Sequence, residues 1–198
     1  MGRLALAVFF TVGLTLPIAA QALDPEGLPP EAPKAGTVIT IDVSTNQAYF
    51  FRDGELVRKS RAATGSDKVL RQGRRVWWFR TPRGRHQVVD KIKDPIWTKP
   101  DWAFIEEGKR VPPPDSPERQ EKGKLGKYAL DLGERVMIHG TNEPWSIGKK
   151  ITHGCIRLPH DMLSFLWNEV DVGTQVYIFE SHARVGASSA GLNDLEMR

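Results

Sequence analysis

The sequence predicts a single, mainly β domain with few helices, and three observations support that fold class. The chain has 198 residues, the length of one ordinary globular domain. In residues 37–43, isoleucine and valine recur at every second position, which is the pattern of a strand. Asp53-Gly54 is a strong hairpin signal. Only residues 159–170 show a clear helical pattern.

The N-terminus has the features of a secretory signal peptide, which we predict over residues 1–22. Arg3 supplies a positive charge, residues 4–20 are mostly apolar, and the Ala-Gln-Ala of residues 20–22 fits a cleavage site. A retained membrane anchor is the alternative. The apolar run is short for a full span and contains a proline, which favours a cleaved signal.

The elements that follow are predicted mostly as strands. Residues 23–35 are rich in proline and acidic side chains and indicate an extended linker, with order beginning near Gly36. Strands are predicted at residues 37–43, 47–52, 55–63, 86–92, 135–139 and 174–180. Residues 159–170 are predicted as a helix because Pro159 suits a first turn and an apolar face follows. The small, polar tail at residues 182–198 is expected to fray.

Two loops are predicted between these elements. Residues 66–85 surround Trp77-Trp78-Phe79 with basic side chains. We interpret this loop as a solvated surface, with contact to an anionic glycan or lipid headgroup as the alternative. Residues 93–124 are rich in proline and charge, and a loop of this length favours a lid or binding loop over a site.

Charge and cysteine content narrow the possible functions. The net charge of +4 is modest, and predicted export argues against nucleic acid as a partner. No other segment is apolar enough to span a bilayer, so we expect no stable membrane span after signal cleavage. Cys155 is the only cysteine, which excludes an intramolecular disulfide and makes it a candidate reactive thiol. A buried structural cysteine is the alternative.

The most informative stretch is residues 136–158, VMIHGTNEPWSIGKKITHGCIRL. A short apolar strand is expected to deliver His139 to a turn, and a later turn carries Cys155. An adjacent imidazole can take the thiol proton, stabilise the thiolate as an ion pair and later protonate a leaving amine. Gly154 would let the backbone approach a substrate carbonyl, and Arg157 can grip a carboxylate.

A zinc site is the rival interpretation of the same residues. The candidate ligands are His139, His153, Cys155 and His160. A single residue separates His153 from Cys155, whereas zinc knuckles commonly have two residues between ligands. That spacing favours the interpretation of Cys155 as a nucleophile over its interpretation as a zinc ligand.

The stretch resembles the signature of the L,D-transpeptidase catalytic domain family, the YkuD-type domain. That family has an upstream HG, then S/T-H-G-C, an apolar residue and Arg or Asn. The counterparts here are His139-Gly140 and the THGCIR of residues 152–157. Residues 81–84, TPRG, resemble its T-P-x-G segment with Arg83 as a small departure, and residues 171–174 resemble its V-G-T turn. The resemblance covers residues 36–180, and we place the catalytic domain at residues 36–181.

The resemblance implies a fold and an activity. The fold would be a sandwich-like pair of β-sheets with a few short helices. Cys155 would attack the diaminopimelate carbonyl of a peptidoglycan stem tetrapeptide and release D-Ala. His139 would be the base, oriented by a backbone carbonyl such as that of Gly140, and His153 would support the nucleophile or the oxyanion. The predicted substrate-binding residues are Arg157, Gly154, Thr152 and Gly140.

Acceptor and location are also implied by the resemblance. An amine of a second stem peptide or of a wall protein would resolve the acyl-enzyme, with no metal or organic cofactor. If water did so instead, the protein would be a carboxypeptidase or amidase of the same fold. A non-catalytic wall-binding domain is a further alternative. The expected location is the periplasm, in association with the cell wall.

Overall fold

The computed structural model describes residues 26–181, and strands dominate that range, which confirms the predicted mainly β fold class. The strands in chain order are β1 Thr37–Asp42, β2 Gln47–Arg52, β3 Glu55–Arg61, β4 Thr64–Gly65, β5 Lys68–Gln72, β6 Arg75–Phe79, β7 Gly84–Gln87, β8 Asp90–Lys93, β9 Ile96–Thr98, β10 Gln120–Lys122, β11 Tyr128–Asp131, β12 Met137–His139, β13 Lys150–Thr152, β14 Ile156–Arg157 and β15 Gln175–Phe179. The helices are α1 Asp101–Glu106 and α2 His160–Glu169, with 3-10 turns at Pro117–Arg119 and Pro144–Ser146.

The first sheet has five strands in the order β3-β2-β1-β15-β7. The predicted Asp53-Gly54 turn closes the antiparallel pair of β2 and β3, and both residues have positive φ, as such tight turns require. β15 lies parallel to β1, although the two strands come from opposite ends of the domain. A pairing between distant segments therefore completes this sheet.

The second sheet has four strands in the order β14-β12-β11-β8. Apolar side chains from both sheets and from α2 form one buried core. Its largest members are Ile39, Ile41, Phe50, Leu130, Ile138, Ile156, Leu158, Met162, Leu163, Leu166 and Ile178. The two sheets thus pack across a shared core, as the sandwich-like prediction requires. This packing fixes β12 and β14, the strands next to the candidate site.

The prediction of a loop at residues 66–85 is wrong. Residues 68–79 form the β5–β6 hairpin, with Val69 opposite Trp78 and a turn at Gly73 with φ +58. The segment is rich in cations, which suggests a solvated loop. Its valines and tryptophans nevertheless have high β propensity, and they lie at positions where the two strands pair. The hairpin forms a separate two-stranded ribbon.

Two further expectations need correction. The strand predicted at residues 86–92 is divided into β7 and β8. Between them the chain passes from the first sheet to the second. The backbone of buried Val88 forms hydrogen bonds with Gly173 and Thr174 at this crossing. The long loop at residues 93–124 is not structureless, since it contains β9, α1 and β10. Arg119 is buried in it and donates to three backbone carbonyls and Asp101.

The chain ends fall partly beyond the described range. The predicted signal peptide and the polar tail lie outside the described residues. From Glu26 onward the chain is not an extended linker, because Leu28 and Ala32 are buried in a cluster with Tyr49 and Phe51 on the first sheet. Within residues 26–181, no helix has the length and apolar character needed to cross a membrane.

Candidate active site

A cleft of about 1460 Å³ opens beside the second sheet. Residues of β12, β14 and the turn before β14 line it from the sheet side, and the β5–β6 hairpin and α1 contribute its walls. Since α1 belongs to residues 93–124, this long segment lines the cleft, as expected of a loop over a site.

The pairing of two short strands brings Cys155 and His139 to one face of the second sheet. β12 and β14 are parallel neighbours, with His139 beside Arg157. Paired residues share a face, and residues two apart along an extended chain share it as well. Cys155 stands two residues before Arg157, so all three side chains belong to the same face, and all three residues line the cleft.

His139 is held as a neutral imidazole with one nitrogen free to act as a base. Its Nδ1 lies 2.6 Å from the carbonyl oxygen of Gly140, a contact in which the ring N–H donates. Burial lowers the pKa of His139 to about 4, with a contribution from the charge of Arg157, although the bond to Gly140 opposes the shift. With Nδ1 protonated, Nε2 carries the lone pair that can accept a proton.

Gly140 orients the ring of His139 through its backbone carbonyl. It does not line the cleft, unlike His139 beside it. A Cβ at this position would approach the Cα of Gly126 to 3.2 Å, so the glycine allows two backbone segments to pack closely. The hydrogen bond expected between the carbonyl of Gly140 and His139 is present, and substrate binding by Gly140 stays a prediction.

Cys155 is half-buried, and its Sγ lies 3.7 Å from the carbonyl oxygen of Arg135. Burial raises the pKa of the Cys155 thiol above its ordinary value, and the backbone of Met137 and the charge of Arg157 offset this only in part. A raised thiol pKa beside a lowered imidazole pKa favours a neutral Cys155–His139 pair at rest. These pKa directions favour a proton that moves only when the thiol attacks, and the ion pair expected from the sequence stays a prediction.

Thr152 and Gly154 shape the turn that carries the nucleophile. The hydroxyl of Thr152 donates to the carbonyl of Cys155 at 2.6 Å and accepts from the N–H of Gly154 at 3.2 Å. Thr152 is buried and both bonds of its hydroxyl lie within the turn, so it positions the turn. It also lines the cleft, and substrate binding by Thr152 stays a prediction. Gly154 has a φ of +132, and a Cβ there would lie 3.1 Å from the carbonyl oxygen of Arg80. It lines the cleft, as the predicted substrate contact requires.

His153 is anchored away from Cys155. Its Nε2 lies 2.7 Å from a carboxylate oxygen of Glu106, and its ring stacks on Trp102 with centroids 3.8 Å apart. Phe79 packs edge-on against the same ring. Burial lowers the pKa of His153 despite the opposing effect of Glu106. Within residues 26–181, His153 forms no hydrogen bond to Cys155, so it joins the nucleophile turn to α1.

Arg157 braces the cleft wall. Its guanidinium donates to Glu143 at 2.6 Å and to the hydroxyl of Ser146 at 3.3 Å. Glu143 also accepts from Lys124 at 2.7 Å, and its pKa is lowered by Lys124 and Arg157. Arg157 thus braces this wall of the cleft, and its predicted contact with substrate stays a prediction. The sequence analysis missed Glu106, Trp102 and Glu143. No local sequence pattern identifies an acidic or aromatic residue whose partner is distant in the chain.

The four candidate zinc ligands do not converge. Nε2 of His153 is bonded to Glu106, and His160 lies on α2 beside Ser164 rather than in the cleft. Within residues 26–181, no three His, Cys, Asp or Glu side chains are grouped as a metal site requires. The geometry favours the nucleophile interpretation of Cys155.

The neutral resting pair predicts an alkaline pH profile for modification of Cys155. Because its pKa is raised, the thiolate fraction should increase about tenfold per pH unit through neutral pH. Iodoacetamide labelling should therefore be slow at pH 7 and accelerate to beyond pH 9, with no inflection near 6.5. Labelling of glutathione is the control. A labelling rate that is already at its plateau at pH 6 would contradict the neutral resting pair and support the thiolate–imidazolium ion pair.

The chain matches one protein family. The sequence model of the L,D-transpeptidase catalytic domain, YkuD, matches residues 36–178. The chain is 30% identical to the probable L,D-transpeptidase ErfK/SrfK of Salmonella typhimurium over 170 residues, covering 80% of this chain and 49% of that protein. It is 34% identical to the Escherichia coli ErfK/SrfK protein over 126 residues, covering 59% and 38% respectively. The chain thus spans half or less of the length of these relatives.

Solved structures show the same fold. The L,D-transpeptidase from Xylanimonas cellulosilytica aligns with a TM-score of 0.55 at 20% identity, covering 76% of this chain and 63% of that one. The L,D-transpeptidase from Mycobacterium smegmatis aligns with a TM-score of 0.53 at 24% identity, covering 73% and 59%. The family match covers well over half of the residues, so this chain belongs to the L,D-transpeptidase catalytic domain family.

Proposed function

We propose that this protein is an L,D-transpeptidase that forms a thioester between Cys155 and a peptidoglycan stem tetrapeptide. The observation that carries the proposal is the placement of Cys155 and His139 on one face of paired strands above a cleft. His139 is neutral and already oriented by Gly140, so it can accept a proton at neutral pH. Membership of the family supplies the substrate class.

In the acylation step, Sγ of Cys155 attacks the carbonyl carbon of the diaminopimelate residue while Nε2 of His139 takes the thiol proton. The carbonyl oxygen becomes an oxyanion. The N–H of Cys155 has no acceptor within residues 26–181 and is our candidate donor to this oxyanion. When the intermediate collapses, the C–N bond breaks, and His139 returns its proton to the departing amine of D-Ala.

The thioester is then resolved by an acceptor amine. The amine attacks the acyl carbon and gives a proton to His139, the C–S bond breaks, and the thiolate recovers that proton. The product is a new amide in a cross-link or an attached wall protein. Water in place of the amine would give a shortened stem, so the acceptor decides between transfer and hydrolysis.

Export to the periplasm is part of the proposal. It is supported by Arg3, the apolar residues 4–20 and the Ala-Gln-Ala of residues 20–22. N-terminal sequencing of the protein recovered from cells should give a start near Leu23. Recovery of the intact N-terminus in the cytoplasm would overturn this part.

Product analysis tests the reaction. The purified protein is incubated with a disaccharide-tetrapeptide, with and without an acceptor stem peptide, and the products are identified by mass spectrometry. We expect loss of D-Ala and a cross-linked dimer when the acceptor is present. A shortened tripeptide as the sole product in both mixtures would identify a carboxypeptidase. No change in either mixture would contradict an enzymatic role on this substrate.

A carbapenem gives an independent readout of the nucleophile. Its strained β-lactam carbonyl and nearby carboxylate present the same two groups as the stem carbonyl and its neighbouring acid. The intact mass should increase by one carbapenem per chain, and EDTA should leave that adduct unchanged. An unmodified mass in the folded, reduced protein would contradict Cys155 as an accessible nucleophile.

We expect Glu106 to act as a positioning residue for the nucleophile turn. Glu106→Ala removes the partner of His153, two residues from Cys155, and should lower kcat/KM by about 10-fold to 100-fold, the range of a lost charge-assisted hydrogen bond. Glu106→Gln retains an acceptor and should recover much of the loss. Glu107→Ala is the matched control, because Glu107 pairs with Lys99 and Lys109 instead. Equal losses at both positions would contradict a specific role for Glu106.

A further inference from the structure

The β5–β6 hairpin has an outer face that the proposed reaction does not use, although Trp78 on this face also borders the cleft. Alternation along the two strands places Leu70, Trp77 and Phe79 on the inner face, where Phe79 contacts Trp102 and His153. The opposite face, which we call the outer face, carries Val69, Arg71, Val76 and Trp78.

The outer face exposes a contiguous apolar patch. Val69 and Val76 are each 41% exposed and Trp78 is 61% exposed. The register sets Val69 opposite Trp78 and Arg71 opposite Val76, so these side chains are neighbours on one surface. Clustered exposure of aliphatic and aromatic groups is uncommon on a protein surface and marks an interaction site.

The same segment carries the excess positive charge of the chain. Residues 66–80 hold five of the 28 basic residues and one of the 24 acidic residues, which leaves 23 of each sign elsewhere. Arg75 pairs with Asp101. Within residues 26–181, Lys68, Arg71, Arg74 and Arg80 have no carboxylate partner, and Arg80 lies over the ring of Trp78. Lys68 lies opposite Phe79 on the inner face. Arg71 on the outer face, Arg74 beside the turn and Arg80 after β6 are therefore the cations available to an external anionic surface.

We propose that the outer face of the hairpin docks this domain on the surface of an anionic lipid bilayer. Tryptophan favours the membrane–water interface, exposed valines gain from contact with acyl chains, and arginines bind anionic headgroups. A glycan strand fits less well, because its uncharged sugar rings would use Trp78 alone and leave both valines in water. Trp77 and Phe79 of the inner face line the cleft and Trp78 of the outer face borders it, so docking would hold the cleft beside the membrane.

Vesicle binding tests this inference, which does not depend on the chemistry at Cys155. A chain beginning at Leu23 keeps every described residue and lacks the N-terminal apolar run, which would bind lipid by itself. It is sedimented with vesicles of phosphatidylglycerol and phosphatidylcholine, or of phosphatidylcholine alone. We expect binding only to the anionic vesicles, weakened by salt. Arg71→Glu with Arg74→Glu should weaken it by about tenfold or more, and Trp78→Ala should weaken it as well.

Matched controls separate the hairpin from general charge and aromaticity. Trp145 is 58% exposed, so Trp145→Ala removes a comparable tryptophan elsewhere. Arg85→Glu with Arg110→Glu makes the same charge change at other exposed positions. Both should bind vesicles like the unaltered chain, and thermal unfolding should show that all variants are folded. No binding to anionic vesicles, or equal loss in hairpin and control variants, would overturn the proposal. So would hairpin-dependent binding to wall glycan without binding to vesicles.

Discussion

Replacing Cys155 with alanine should reduce turnover of a stem tetrapeptide to the level of a blank reaction. The change removes the only thiol in the chain, and no thioester can form without it. The fold should persist, because Cys155 is half-buried and lies outside both buried apolar clusters. Turnover is measured by release of D-Ala, and thermal unfolding shows that the variant remains folded.

Cys155→Ser is the matched variant for this experiment. It keeps the size and hydrogen-bonding capacity of the side chain, yet an alcohol is much harder for His139 to deprotonate than a thiol. We expect activity close to that of Cys155→Ala, with the carbapenem adduct lost in Cys155→Ala. Full turnover by folded Cys155→Ala protein would refute the proposed mechanism, including the role of His139.

Replacing His139 should slow acylation of Cys155 by about 10²–10⁴-fold, the usual contribution of general acid–base catalysis. His139→Ala leaves a space in a buried site, so His139→Asn is included, because its amide can donate to Gly140 but cannot act as a base. The measurement is the rate of carbapenem adduct formation at several pH values. With its base present, the protein should acylate well at pH 7, since the pKa of His139 is about 4. Without it, the rate should follow the thiolate fraction and recover only at alkaline pH, because the pKa of Cys155 is raised.

His160→Ala is the control for the loss of an imidazole. His160 lies on α2, and its ring contacts Ser164 at 3.4 Å rather than the cleft. Its removal should leave the acylation rate unchanged. A similar loss from His139→Asn and His160→Ala, or an unchanged rate in His139→Asn, would show that His139 is not the base.

The sequence by itself determined the local elements with strong periodicity or turn chemistry. β1, β2 and the Asp53-Gly54 turn lie where they were predicted, and α2 begins one residue after Pro159. The identity of the two reacting groups was also readable, because a lone thiol follows a Thr-His-Gly turn and a His-Gly pair precedes it. Such features depend on neighbours a few residues apart, and side-chain type is enough to specify them.

The tertiary structure alone decided how these groups are held and charged. The parallel register of β12 and β14 places Cys155 and His139 on one face, and burial there favours a neutral resting pair because it raises the pKa of Cys155 and lowers that of His139. The hydrogen bond from His153 to the carboxylate of Glu106 joins residues 47 apart in sequence. The basic segment became a hairpin with an exposed outer face only through pairing of its two strands. Register, burial and long-range pairing arise from the packing of the whole chain, and no local pattern encodes them.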